Sequence, residues 1–344
     1  MTPVLLLDRP APLVDGIVEA SPLDTTRREF LTGAGTAALA AAFLAACGDD
    51  DPEATPTATD APTTRTVDSA RGPVEIPIAA QSIIPVDPTT SLALVDVGIE
   101  PRGALSDWFT AEYWPANYVD ALSTRSSIGS GGVPDVELIA TLDPDLIIGA
   151  EWWSEPAVYD QLSGIAPTVV IGEGVTDWKA IARKVADTVG RSEVLAELER
   201  EVDALAEDIK SRHAEVLGRT RWAVISAYQD QWYLSLEDAY LPTLLVQAGV
   251  QLGSAAAGLP GGVQAYSYEQ LQSLDDVDVI LFPADNVTGE AMPGLEPLFE
   301  HPLWLSLPAV QEGRLFGSPD LDLQSFGWAL QALQRLDGLL TELE

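Results

Sequence analysis

Cysteine, histidine and lysine are nearly absent from this 344-residue chain. It has one cysteine, Cys47, two histidines, His213 and His301, and three lysines, Lys179, Lys184 and Lys210. A single thiol can close no internal disulfide and cannot build a thiolate zinc cage. Two histidines far apart in sequence do not make the imidazole-rich site that captures bare zinc or manganese. Positive charge is scarce: 18 Lys and Arg stand against 53 Asp and Glu, a formal net charge of −35. Such a chain repels a phosphate backbone, which excludes general nucleic-acid binding. The Gly131-Gly132, Gly261-Gly262 and Gly172-Glu173-Gly174 clusters lack a P-loop or dinucleotide fingerprint. No Ser-His-Asp or Cys-His set can be assembled, so an enzyme is not expected. With so many carboxylates, any glycosidase-like acid pair would arise by chance. Disorder is excluded by 47% hydrophobic against 21% charged residues. The length has room for two domains, each with its own core.

What is present begins with an address. Thr26-Arg27-Arg28-Glu29-Phe30-Leu31-Thr32 precedes a small apolar run from Gly33 to Ala46. That run is shorter than the roughly 20 residues needed to span a bilayer. It ends in Leu44-Ala45-Ala46-Cys47. A charged region, a short apolar region and a small-residue cleavage site in this order form a secretory signal. The arginine pair resembles a twin-arginine (Tat) export signal, and Leu-Ala-Ala-Cys resembles a bacterial lipobox. Residues 1–46 are therefore expected to be a lipoprotein signal peptide. Cys47 becomes the lipidated anchor, on the outer side of the cell membrane. Residues 47–64 hold Asp, Pro, Thr and Ala with almost nothing large and apolar, which suits a disordered tether. Removing the leader takes away three cations and five acids, so the remainder stays strongly acidic.

From Arg65 onward short apolar runs alternate with helical stretches. Strands are expected at Ser82–Val86, Leu146–Ile148, Thr168–Ile171, Trp222–Ile225 and Val277–Phe282. Helices are expected at Ser91–Val97, closed by Gly98, and at Leu241–Ala248. Alternation of this kind indicates an α/β fold with mainly parallel sheets. The longest helical signal runs from Ser192 to Leu217. Ser192 is placed to cap it, between Gly190 and Gly218. Leu195, Leu198, Val202, Leu205, Ile209 and Val216 share one stripe. About 26 residues would reach roughly 39 Å, enough to bridge two halves. The expected organisation is an N-terminal lobe at 65–190, a linker helix at 191–218 and a C-terminal lobe at 219–344. His213 falls beside the stripe, where capping or packing is expected of it. His301 falls at a turn and helix start.

The halves share a segment. In Val136-Glu137-Leu138-Ile139-Ala140-Thr141-Leu142-Asp143, and again in Tyr268-Glu269-Gln270-Leu271-Gln272-Ser273-Leu274-Asp275, a glutamate near a helix start precedes an aspartate by six residues. An apolar strand follows each. An acid in a first helical turn is favoured by the helix dipole alone, but the repetition suggests a paired role.

At this point the sequence resembles the ABC-transporter substrate-binding proteins of the iron-siderophore, heme and cobalamin type. The marks are Gly72-Pro73-Val74-Glu75-Ile76-Pro77 leading to Ile83-Ile84-Pro85-Val86-Asp87, then Val97–Gly103, Glu137–Gly149 and Ile165–Val169. In the second half they are Glu269–Phe282, Pro302-Leu303-Trp304, Leu307–Val310 and Arg314-Leu315-Phe316. The resemblance implies two α/β lobes joined by one long rigid helix, with the ligand cleft between them. It implies a monomer that docks onto an ABC permease with its ATPase. It also implies that Glu137 and Glu269 are the surface glutamates, one per lobe, that pair with permease arginines. A stiff bridge of this kind limits closure to small rotations.

Ligands of parallel α/β sheets sit beyond the carboxyl ends of the strands. The corresponding loops carry Trp108, Phe109, Tyr113, Trp114, Trp152, Trp153, Tyr228, Trp232, Tyr233, Tyr266, Phe326 and Trp328. These aromatics supply large, stiff contact area. Trp178, Trp222 and Trp304 fit ordinary core positions better. The same loops contain no Lys or Arg, but do contain Asp87, Asp107, Glu112, Glu151, Glu155, Asp230, Asp285 and Asp322. A desolvated, highly anionic iron chelate needs cationic partners. The expected cargo is therefore a neutral or cationic ferric siderophore such as a hydroxamate, with a corrinoid or heme as the alternative. No resident cofactor or metal is expected. A surface-tethered ligand sensor is the other reading, and acidity as a high-salt adaptation would say nothing about cargo.

Overall fold

The computed structural model describes residues 62–172 and 177–344. The expected leader, the Cys47 anchor and nearly all of the tether lie outside them. Among the described residues no helix is long and apolar enough to cross a membrane.

The N-terminal half opens with an antiparallel hairpin, Thr64–Val67 against Val74–Pro77. Three parallel strands follow, with Leu146–Ala150 between Ile83–Pro85 and Thr168–Ile171. A parallel sheet covered on both faces needs apolar residues at every position, and these strands supply them. Ile84, Ile147 and Val170 point into a cluster with Leu105, Ile139, Tyr159 and Leu162. Their neighbours Ile83, Leu146, Ile148, Val169 and Ile171 point into a second, larger cluster. Between the first two strands lies the helix Pro88–Asp96, somewhat earlier than its sequence pattern predicts. Asp87 caps it, and Pro88 stands in its first turn, where no backbone donor is needed.

The C-terminal half contains a six-stranded sheet. Strands Arg221–Tyr228, Val279–Pro283 and Leu315–Ser318 run parallel, and the short Gln251–Leu252 pairs parallel to the first of them. The remaining part corrects the expectation of a mainly parallel sheet. Arg221–Tyr228 turns back on itself into Gln231–Ser235, and Val263–Tyr266 continues antiparallel. The tight turn puts Gln229 at φ 56°, a left-handed conformation reached here without glycine or asparagine. Residues alternate again: Trp222, Val224, Val279 and Leu281 join the large cluster, while Ala223, Ile225 and Ile280 face a cluster of the C-terminal half alone.

The large cluster is therefore shared by both sheets, and helices fill the space between them. The predicted linker helix is real but shorter. It spans Ser192–Arg212, 21 residues, or about 31 Å at 1.5 Å per residue. It then breaks at His213 and resumes as Ala214–Arg219. Arg191, not Ser192, holds the N-cap position, and Gly218 lies inside the second helix. Leu195, Val202, Ala206 and Ile209 form the buried face. Three helices pack along it: Trp178–Thr188, Tyr240–Gln247 and Phe326–Glu342. The break has a visible partner set. His213 is buried, with Nδ1 2.9 Å from Glu344 Oε1 and Nε2 2.8 Å from Asp337 Oδ1. Arg212 joins Asp337 at 2.8 Å. The histidine thus ties the linker to the last helix, the packing role expected of it.

Candidate functional site

Loops of the two halves meet. Asn286, just past strand Val279–Pro283, donates its backbone N–H to Glu112 O at 2.8 Å and its side-chain amide to Trp114 O at 2.9 Å. A second tie joins the halves nearby. Tyr118 donates to Asp96 and meets Ser325 Oγ at 2.7 Å, and Gly327 N–H donates to the same carboxylate at 3.1 Å. Asp96 is half-buried, and the desolvation of its carboxylate pushes its pKa up to about 6 despite these donors.

On the N-terminal side the rim is an indole cluster. Trp108 and Trp153 meet edge-to-face with centroids 5.9 Å apart, and Trp152 and Trp153 at 5.2 Å. Both geometries suit the quadrupoles of aromatic rings. Trp153 donates to Gly132 O at 3.0 Å, and Asp107 accepts from Gly131 N–H at 3.0 Å. These bonds pin the small hairpin of Gly129–Ser130 and Val133–Pro134. The buried indole N–H of Trp152 and the hydroxyl of Thr110 have no hydrogen-bond partner among the described residues. Both lie in carboxyl-end loops. On the C-terminal side Tyr228 is 55% exposed, and Tyr233 and Tyr266 are half-buried. Tyr113 is half-buried on the opposite loop.

Other aromatics predicted for the cleft are core. Trp232 is fully enclosed, stacks on Tyr266 at 4.8 Å and donates to Ser267 O. Trp328 packs on Trp114 at 5.6 Å and donates to Asp320 at 2.8 Å. Trp114 in turn packs on Phe109 and donates to Trp108 O. Phe326 packs on Trp178. Trp114, Trp232 and Trp328 are buried, so they support the rim instead of lining it.

The acids divide similarly. Asp87 is no cleft residue. It is wholly buried, accepts from Thr90 N–H, Thr90 Oγ1 and Ala150 N–H at 2.8–2.9 Å, and burial raises its pKa. It fastens the helix Pro88–Asp96 to the end of the central strand. Asp285 is held below the usual carboxylate range by the N–H groups of Thr288 and Val287. Glu112, Glu151, Glu155, Asp230 and Asp322 are exposed. Two arginines that the loop sequences do not reveal come close. Arg71, from the turn of the first hairpin, reaches Pro156 O at 3.1 Å and Asp160 at 3.0 Å. Arg335, from the last helix, grips buried Asp320 through two N–H groups. Both are already paired with carboxylates. The unread signal for Arg71 was its place in a turn beside strand Thr168–Ile171, set by the Ala70 N–H bond to Val170 O.

Neither histidine joins the site. His301 caps the short helix Pro302–Leu305 by accepting from Leu303 N–H. No cluster of three or more His, Cys, Asp or Glu able to hold a metal ion occurs among the described residues.

The repeated glutamates lie one in each half, both exposed. Glu137 is in the first turn of the helix Val136–Thr141, and Glu269 in that of the 3-10 helix Tyr268–Leu274. The repeat extends further than its glutamates. Asp145 accepts from Gln81 and Ser82 N–H at 2.8 and 3.0 Å, and Asp278 accepts from Arg221 N–H at 2.7 Å. Each holds the start of the neighbouring parallel strand. Asp143 and Asp275 differ, since Asp143 is left-handed at φ 48° and Asp275 is right-handed helical.

A sequence profile described as periplasmic binding protein matches residues 83–320, most of the chain. The chain belongs to the periplasmic binding protein family. Within it, this periplasmic binding protein is related to the binding proteins of iron-siderophore ABC transporters. It is 27% identical to a Bacillus subtilis protein named "Probable siderophore-binding lipoprotein YfiY", over 88% of this chain and 94% of that one. It is 26% identical to the ferric enterobactin-binding periplasmic protein FepB of Escherichia coli, over 60% and 67%. Among solved structures it resembles the siderophore periplasmic binding protein from the fuscachelin gene cluster of Thermobifida fusca. That likeness has 25% identity and a TM-score of 0.66, covering 78% of this chain and 98% of the other. The family binds solutes and is not catalytic. Membership places this periplasmic binding protein outside the cytoplasm, in an uptake system of the ABC type.

Proposed function

We propose that the protein holds a ferric siderophore of neutral or cationic charge between its two halves and hands it to an ABC permease. Lipid on Cys47 tethers it to the outer side of the membrane, and the stiff linker limits how far the halves rotate. The observation that carries the ligand reading is the charge and shape of the rim. Trp108, Trp152, Trp153 and Tyr113 stand on the N-terminal side, and Tyr228 and Tyr233 on the C-terminal side, on the sheet face opposite Trp232 and Tyr266, while the neighbouring arginines are taken by Asp160 and Asp320. A bulky complex with an apolar edge gains contact area there. A tris-catecholate chelate would bring charge with no free cation to meet it.

Titrating the mature protein with a ferric trihydroxamate, a corrinoid and a ferric tris-catecholate, read by tryptophan fluorescence, tests this. Saturable quenching is expected from the trihydroxamate. Quenching by the corrinoid alone would favour the cobalamin-type alternative. Tight quenching by the tris-catecholate alone would refute the charge argument. Glu137 and Glu269, exposed and one in each half, are the groups proposed to meet cationic residues of the permease. Complementary charge at such a contact sets orientation and encounter rate.

A further inference from the structure

Beside Glu137 lies a groove of about 500 Å³, lined by Ser127, Gly129, Val133, Pro134 and Leu138, with Ser130 and Asp135 at its edge. Two of its apolar side chains are unusually open: Val133 is 68% exposed and Leu138 41%. The groove is built, not incidental. Gly129 lets the strands close, since a Cβ there would sit 2.0 Å from Val133 O. Asp135 N–H donates to Ile128 O at 2.7 Å, and the hairpin is held by Trp153 and Asp107 as described above. A socket that is already ordered costs little entropy on binding.

We infer that this groove is the apolar part of the permease contact, taking one aliphatic or aromatic side chain of a permease loop that carries an arginine beside it. The inference rests on the docking reading of Glu137. Charge selects the occupant. No cation lines the groove. Asp135 is spent capping Glu137 and Leu138 N–H groups, whereas the Glu137 carboxylate has no partner among the described residues. The site therefore accepts a cation next to an apolar group. An anionic lipid surface and a second copy of this chain are both repelled by a net charge of −35. The C-terminal contact is different in kind: Glu269 is held below the usual carboxylate range by the Ser267 hydroxyl, and its neighbours are Tyr268 and His301, with rings 5.1 Å apart. The two ends of the docking face are thus chemically distinct, which fixes one orientation on the permease.

A photo-crosslinking residue placed at Val133, at Gln272 beside Glu269, and at Ile78 as an exposed control tests this in producing cells. Val133 and Gln272 should each capture the same ABC permease, and Ile78 should not. Capture from Gln272 but not Val133 would overturn the groove and leave the docking reading standing. Capture from neither would end both. Crosslinks from Val133 to lipid or to another copy of this chain would also overturn the inference. With the captured permease in detergent, Val133→Ser with Leu138→Ser should weaken binding about tenfold, ~1.4 kcal/mol, at an unchanged salt dependence. Glu137→Gln should instead flatten the salt dependence. Unchanged affinity of the double serine variant would refute the apolar contact.

Discussion

Replacing Asp96 with asparagine should remove a pH-dependent penalty of about 3 kcal/mol from the folded protein. Burial raises the Asp96 pKa from 3.8 to about 6, against the opposing donors Tyr118, Gly327 and Ser325. The gap of about 2 units corresponds to about 3 kcal/mol at 1.36 kcal/mol per unit. Because the native pKa is the higher one, the native state binds the proton more tightly. The stabilising contribution is complete below the unfolded pKa and disappears as pH rises through about 6. Other carboxylates, buried Asp87 included, are common to both proteins and cancel in the difference. Asparagine can still accept from Tyr118, but its amide would oppose the Gly327 N–H. That adds an offset independent of pH, so the test lies in the shape of the difference curve. Urea unfolding of both proteins, followed by tryptophan fluorescence from about pH 4.5 to about pH 7.5, supplies it. The lower limit stays above the isoelectric point near 4.1. Wild type should lose stability relative to Asp96→Asn across this range, most steeply near about pH 5, between the unfolded and native pKa values, and level off above about pH 6. A flat difference would show that the Asp96 carboxylate is not desolvated as described, and the tie between the halves would have to be redrawn.

Two further substitutions probe the tie and the hairpin. Asn286→Ala removes the side-chain bond to Trp114 O and should cost about 1 kcal/mol, with faster amide exchange in residues 111–114. Unchanged exchange there would mean that the loops of the two halves do not meet. Gly129→Ala drives a methyl group into Val133 O. It should cost roughly 1–3 kcal/mol by strain, seen as a lower melting temperature, and a variant that melts like wild type would refute the tight hairpin.

The α/β character, most strands and the linker were legible because they rest on periodic apolar residues, which burial enforces. The break at His213 was not. No proline or glycine marks it, and the partners that His213 meets there, Asp337 and Glu344, lie more than a hundred residues away. The antiparallel turn at Gln229 was hidden for the same reason, since that residue type does not favour a left-handed backbone. Two features of the site region are legible in the local pattern. Strand alternation puts Trp232 on the same face as Leu234, inside, with Tyr233 on the other. Asp87 stands just before Pro88, a capping position, so a structural role could have been weighed above a place in the cleft. The paired glutamates were found from the repeat, but nothing in the sequence distinguished the open groove beside Glu137 from the ringed surroundings of Glu269.

The large core is assembled from residues as far apart as Val67 and Leu340. Helix Phe326–Glu342 supplies Trp328, Leu333 and Leu336 to it, and it touches helices from both halves. During synthesis, then, the N-terminal sheet leaves the ribosome long before one wall of its core exists. Vectorial folding of that half as a finished unit is not open to this chain. Its apolar inner face must wait, solvated or chaperoned, until the last helix emerges.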